Sequence, residues 1–252
     1  MQRVVSKNPA AVAFVGELDR SSALARLPKD LCVVLGGDGT MLHAIHSGAP
    51  GSTWLGLNFG HLGFLMNDLP AENPLSYVVD RLAGRSWSTH RFPRLTMRAT
   101  TARGDLVGHA VNDVYVERQS GTTCHLRVWI DGYLLADRVV CDGLIAATPL
   151  GSTAYSFSAG GSAAHPLVEA IHLTPICPHA PKLSPMVLPA AARVRIEVLD
   201  ADRRPARVVV DGFEHGDVRA VDIGSYAEDA VNLAFFDGHD FTGTLLRKVL
   251  RR

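Results

Sequence analysis

The sequence predicts an α/β Rossmann-like N-terminal domain followed by an all-β, sandwich-like domain, with a C-terminal helix that returns to the first. Three observations carry this. Between residues 31 and 84, short apolar runs alternate with helical patterns, as in a parallel sheet with helices packed on it. From about Arg91-Phe92-Pro93 the apolar period changes to two, and turn residues separate many short strands. Near the end, Leu245-Leu246-Arg247-Lys248-Val249-Leu250 is helical again. The expected boundaries are residues 1–92 with 233–252 for the α/β domain, and 93–232 for the β-rich domain.

In the first domain, Val12-Ala13-Phe14-Val15 reads as a strand and Ser22 to Leu27 as a turn of helix. This stretch is short for a complete βαβ unit, so the first half-domain reads as trimmed. Leu31-Cys32-Val33-Val34 is a buried strand, and Met41 to Ser47 a short helix stopped by Gly48 and Pro50. Trp54-Leu55-Gly56-Leu57-Asn58 is a second buried strand. Leu75, Val78, Val79 and Leu82 fall on one helical face, closed by Gly84.

In the second domain, Leu95 to Thr100 alternates, Leu106 to Arg118 is strand-like, and His125 to Ile130 follows. Asp131-Gly132 is a hairpin signal leading into Tyr133-Leu134-Leu135. Arg193 to Val198, Arg207 to Val210, Val221 to Ile223 and Val231 to Phe236 complete the set.

Composition narrows the function. The chain has 252 residues, enough for two modest domains, and its 47% hydrophobic content supplies a core. The 25 basic and 25 acidic residues balance, and no single element gathers the basic ones. That excludes a dedicated nucleic-acid binder, which must neutralise phosphates. No apolar run reaches the length of a membrane span, and Met1 to Lys7 lacks a signal-peptide stretch. A cytoplasmic protein with no membrane partner is expected. Cys32, Cys124, Cys141 and Cys177 show no paired spacing, so they read as buried free thiols rather than disulfides or zinc ligands.

The chemistry starts at Leu35-Gly36-Gly37-Asp38-Gly39-Thr40, between a strand and a helix. Its glycines let a ligand approach the main chain, and the helix start offers N–H groups suited to phosphate. Asp38 is out of place in a simple anion site. It fits one that holds a metal, binds a sugar hydroxyl or takes a proton from it; a plain helix-capping turn is the structural alternative. Gly60 and Gly63 bracket His61 in a second tight turn. Asn112-Asp113 pairs an amide with a carboxylate, able to read a base edge and a ribose. From Asp142 to Gly161 an apolar strand leads into a loop of glycines and hydroxyls around Tyr155, a composition that suits a nucleotide. In Leu173 to His179 the prolines fix an extended path, with His179 structural.

Taken together, these stretches resemble the NAD kinase family. The resemblance rests on Gly36-Gly37-Asp38-Gly39-Thr40, Gly60-His61-Leu62-Gly63-Phe64, Asn112-Asp113, Asp142 through Gly161 and Leu173 to His179, which run in family order across most of residues 31–215. It implies phosphorylation of the adenosine ribose 2′-hydroxyl of NAD to NADP, with ATP as donor, inorganic polyphosphate as the alternative donor, and Mg²⁺ carried by the ATP. Asp38 would be the general base. Gly37, Gly39, Thr40, His43 and Phe64 would also contact the nucleotides, with Gly39, the following N–H groups and His43 on the phosphate side.

The resemblance further places Asn112 and Asp113 at the adenosine, and Ser152, Thr153, Ala154, Tyr155, Ser156, Phe157 and Ser158 along the dinucleotide. Asp142 would join the dinucleotide site across a subunit interface, in a homodimer or homotetramer. No protein-held metal set is implied. Three positions depart from the family pattern. Asp113 stands for the usual Glu, Val140 for Arg or Gly, which leaves NAD against NADH open, and Phe213 for a common Gln. A lipid kinase of the diacylglycerol or sphingosine type shares the first turn but does not account for Asp142 to Gly161. A non-catalytic dinucleotide sensor would gain by losing the charge of Asp38.

Overall fold

A computed structural model of the chain describes residues 3–21, 27–60 and 63–250, without the side chains of 226–229. Most of the helical turn expected at Ser22 to Leu27, together with His61 and Leu62, lies outside the described residues. The chain divides into two compact units, Met1–Phe92 with Val231–Arg252, and Pro93–Ala230.

The first unit is built on four parallel strands: β1 (Arg3–Val5), β2 (Leu31–Gly36), β3 (Thr53–Asn58) and the end of β14 (Phe213–Phe236), in that order. Arg3 pairs with Val33, Leu31 with Thr53, and Asn232 with Thr53. All six residues of β2 are buried, so it reads as an unbroken apolar run rather than an alternating one. Helices α1 (Pro9–Arg20), α2 (Asp38–Ser47), α3 (Pro74–Ala83) and α5 (Phe241–Leu250) complete the unit. Phe14, Leu18, Leu35, Leu55, Leu57, Val78, Leu82 and Phe236 share one core cluster.

Two local expectations are corrected here. Val12 to Val15 is not a strand but the middle of α1. The Asn8 side chain caps that helix by accepting the Ala10 N–H at 2.9 Å, and Pro9 occupies its first turn. Ala11, Phe14 and Leu18 are buried at helical spacing, while Val12 faces outward. Core packing overrides the local preference of two valines for a strand. The second correction concerns α2, which begins at Asp38 rather than Met41, so the glycine turn is already the helix's first turn. An acidic residue there is favoured by the helix dipole.

The second unit is antiparallel. One run of neighbours is β13 (Ala206–Val210), β6 (Asp113–Arg118), β9 (Gly143–Ala147), β10 (Ala170–Ile176) and β11 (Met186–Pro189). Another is β8 (Tyr133–Cys141), β7 (Cys124–Ile130), β12 (Arg193–Leu199) and β14. The hairpin of β4 (Trp87–Thr101) and β5 (Gly104–Ala110) pairs with β14 through β4, and β14 also pairs with β13. Val194, Ile196 and Val198 point into the core, while Arg193 and Arg195 are exposed. Asp131 (φ 51°) and Gly132 (φ 81°) make the expected hairpin turn. The predicted α/β-plus-β class therefore holds, and α5 belongs to the first unit.

Three further details differ from the reading. Val221 to Ile223 and Val231 to Phe236 are stretches of one continuous strand, since no proline interrupts the chain between them. Leu106 to Arg118 is split into β5 and β6 at Val111-Asn112. Cys177 is exposed, and Cys124 and Cys141, unremarkable in spacing, face each other across β7 and β8 with their sulfurs 3.7 Å apart. Among the described residues, no helix is long and apolar enough to cross a membrane.

Candidate active site

In the first unit, β2 delivers the chain into α2 at Asp38. The cap residue, Gly37, accepts the Thr40 N–H through its carbonyl at 2.9 Å but has no side chain to satisfy the N–H groups of Asp38 and Gly39, which are left for another acceptor. Asp38 Oδ2 accepts the Phe64 N–H at 3.0 Å, and Oδ1 accepts the Leu65 N–H at 3.1 Å. The carboxylate lies so close to the following segment that a Cβ on Gly63 would stand 2.1 Å from Oδ1. Any side chain there would have to displace the carboxylate. The Lys248 ammonium of α5 lies 3.6 Å from Oδ2 and 4.9 Å from the Phe64 ring centroid.

A carboxylate has about four lone-pair directions. Two N–H donors and one ammonium leave Asp38 able to accept a further hydrogen bond. Around it, Gly39 is exposed with open space where a side chain would be, Thr40 is half-buried, and His43 is exposed one turn further along α2. Phe64 meets Asp38 through its backbone; its ring is 1% exposed and so is not presented to a ligand.

In the second unit, Asn112 and Asp113 are held by a residue that the sequence reading passed over. The Asp211 carboxylate accepts the N–H groups of Val111 (2.7 Å), Asn112 (2.8 Å) and Asp113 (3.1 Å). Asp113 is buried beside this second carboxylate. Burial and then the Asp211 charge push its carboxyl up to about 7. Gly151 packs directly on Asn112, where a Cβ would be 2.1 Å from the Asn112 carbonyl oxygen. Tyr155, on the short helix α4 (Tyr155–Ser158), meets Tyr115 edge to face, 5.0 Å between centroids. Burial raises both phenols, Tyr115 to about 12, so both remain neutral donors at ordinary pH.

The hydroxyls of the 150–161 loop divide into two groups. Ser152 Oγ donates to the Pro149 carbonyl at 2.7 Å and accepts the Ala164 N–H at 2.9 Å. Thr153 Oγ1 donates to the Leu150 carbonyl at 3.5 Å, and Ser156 Oγ shares a hydrogen bond with Thr174 Oγ1 at 2.8 Å. These three are buried and build the loop. Ala154, Tyr155, Phe157 and Ser158 remain half-buried or exposed. Asp142 pairs with Arg118 Nε at 2.8 Å. Among the described residues, no three His, Cys, Asp or Glu side chains gather as a metal site.

Comparison with known proteins decides the family. A family profile described as the ATP-NAD kinase C-terminal domain matches residues 111–226. The NAD kinase of Rhizobium meliloti is 40% identical over 195 residues, covering 76% of this chain and 72% of that protein. The NAD kinase of Brucella suis is 32% identical over 236 residues, covering 93% and 90%.

The chain belongs to the NAD kinase family.

Two solved NAD(H) kinase structures share its fold along its whole length. Yeast NADH kinase complexed with NADH superimposes with a TM-score of 0.80 at 25% identity, covering 100% of this chain and 88% of the other. An NAD kinase from Archaeoglobus fulgidus in complex with ATP gives a TM-score of 0.79 at 25% identity, covering 100% and 99%. The chain is thus a kinase. Within it, Asp211 and Lys248 stand beside residues singled out from the sequence. Asp211 has no local signal beyond the Asp-Gly pair that it forms with Gly212. Lys248 looked like any basic residue in the last turn of a helix, where the dipole favours one.

Proposed function

We propose that the chain transfers the terminal phosphoryl group of ATP to the adenosine ribose 2′-hydroxyl of NAD, giving NADP and ADP. The observation that carries this reading is the fixed carboxylate of Asp38 at the start of α2, held by the N–H groups of Phe64 and Leu65. Phosphoryl transfer needs chiefly alignment and charge neutralisation. Asp38 accepts a hydrogen bond from the 2′-hydroxyl and aims its oxygen at the γ-phosphorus. The new O–P bond forms as the bond to the β-phosphate oxygen breaks, and the hydroxyl proton passes late to Asp38. The N–H groups of Gly37 to Gly39 at the start of α2, together with His43, face phosphate, while that of Thr40 is donated to the Gly37 carbonyl at 2.9 Å.

Asn112 and Asp113 hold the adenosine portion, with Asp113 donating a hydrogen bond in its protonated form. Tyr155, Phe157 and Ser158 line the dinucleotide. Mg²⁺ enters as the ion on the ATP phosphates, where it neutralises charge. Asp38, whose oxygens already accept two N–H groups and face an ammonium, is not assigned to hold it. The reading includes a cytoplasmic homodimer or homotetramer in which Asp142 serves a neighbouring subunit's dinucleotide site.

The test is NADP or NADPH formation from NAD or NADH, with ATP or inorganic polyphosphate as donor. NADP formation with ATP and Mg²⁺ is expected. Asp38→Asn should lower turnover by on the order of 10²–10⁴ while keeping dinucleotide affinity within about tenfold. Binding without turnover in the parent protein would overturn the reading in favour of a sensor. An Asn variant with near-normal turnover would remove Asp38 from the mechanism.

A further inference from the structure

Lys248 lies far from Asp38 in sequence, yet its ammonium faces that carboxylate at 3.6 Å. Both residues belong to the first compact unit. The Lys248 side chain is only 16% exposed and that of Asp38 25%, so the pair is largely withdrawn from water. Screening is weaker there than for a surface pair. The buried Phe64 ring lies 4.9 Å from Nζ, and a cation over an aromatic face is held by the ring's quadrupole. The same Phe64 donates its backbone N–H to Asp38 Oδ2. One residue therefore anchors both partners.

At 3.6 Å the Nζ–Oδ2 separation is an ion pair rather than a short hydrogen bond. The lysine offsets the carboxylate's charge without saturating its lone pairs. This answers the objection that the sequence raised, that a bare carboxylate beside a phosphate site repels the donor. We infer that Lys248 is a positioning residue for phosphoryl transfer: its ammonium, set between Asp38 and Phe64, keeps Asp38 charge-compensated and oriented beside the phosphates. The inference rests on the reading of Asp38 as the group that receives the ribose hydroxyl. It gives α5 a task beyond packing, since its last turn completes the surroundings of Asp38.

The test is a double-mutant cycle on the full chain. Lys248→Met keeps most of the aliphatic stem and removes the charge, Lys248→Gln is a second neutral variant, and Lys248→Arg restores a cation. Each is made in the parent and in Asp38→Asn, with thermal unfolding measured alongside. In the parent, both neutral variants should lower kcat roughly tenfold to a hundredfold, the scale on which partners that orient metal-ligating side chains act. The KM for NAD should change little, and Lys248→Arg should recover most of the loss. In the Asp38→Asn background, the neutral changes should cost less than about twofold, because the group they act through is already gone. Equal losses in both backgrounds, a change confined to KM, or no rescue by arginine would overturn the inference while leaving Asp38 in place. Full turnover by Asp38→Asn alone would instead overturn the underlying reading, and the inference with it.

Discussion

Asp211 and Asp113 are locked to each other by two hydrogen bonds: the Asp211 carboxylate accepts the Asp113 N–H at 3.1 Å, and the Asp113 backbone carbonyl accepts the Asp211 N–H at 3.0 Å. The Asp113 carboxyl is thereby buried against a second acid, and its pKa rises from 3.8 to about 7. Between these two values the folded protein keeps a proton that the unfolded chain has released, so folding takes up a proton and each rise in pH disfavours the folded state. The stability contribution is fully present below about pH 4 and is lost as pH climbs to about 7. Its slope is at most about 1.4 kcal/mol per pH unit. Asp113→Asn, neutral throughout, should remove that slope and gain on the parent across this window. Thermal unfolding followed from pH 4 to pH 8 checks it, and parallel curves for the two proteins would contradict it.

A methyl group at Gly63 has nowhere to go but into Asp38, given the 2.1 Å separation from Oδ1. Gly63→Ala should displace the carboxylate, lowering turnover by at least tenfold while dinucleotide affinity changes by much less. The tenfold scale is about 1.4 kcal/mol of transition-state stabilisation. Steady-state kinetics and a binding titration on the same protein decide it.

Tyr155 stands edge to face against Tyr115, with an interplanar angle of 73°. Removing its ring by Tyr155→Ala should weaken NAD binding by about tenfold, within the range for loss of one aromatic face under a base. ATP binding should fall by less. Calorimetric titration with each nucleotide separates the two, and equal losses would place Tyr155 elsewhere.

Asn67 is 2% exposed, and its side chain ties β3 to β14. Nδ2 donates to the Gly56 and Ala234 carbonyls, and Oδ1 accepts the Phe236 N–H at 2.7 Å. Asn67→Leu keeps the volume and orphans that N–H, so denaturant unfolding should show a loss of about 2–4 kcal/mol. A loss below about 1 kcal/mol would mean that the strands hold their register without the amide.

The parallel strands were legible because full burial leaves an uninterrupted apolar run, as in β2, and the sandwich because half-burial leaves alternation, as in β12. α1 was misread because two valines outweighed the Asn8-Pro9 start signal, which marks the helix more reliably than the residues inside it. Asp38, Asn112 and Tyr155 stood out through their local company of glycines, amide or hydroxyls. Asp211 and Lys248 did not, because each acts on a residue about 100 or more positions away. Contacts of that kind have no signature in a sliding window. The inward turn of Ser152, Thr153 and Ser156 was equally hidden, since a hydroxyl looks the same in sequence whether it faces a ligand or its own loop.

That inward turn has a bearing on affinity. A segment stitched by its own side chains has already surrendered its freedom in the fold, so under the proposed reading a nucleotide arriving at Tyr155 or Phe157 need not pay to organise it. Cutting one stitch, as at Ser156, would leave the contact surface chemically unchanged and still slacken the grip on the guest, through entropy alone.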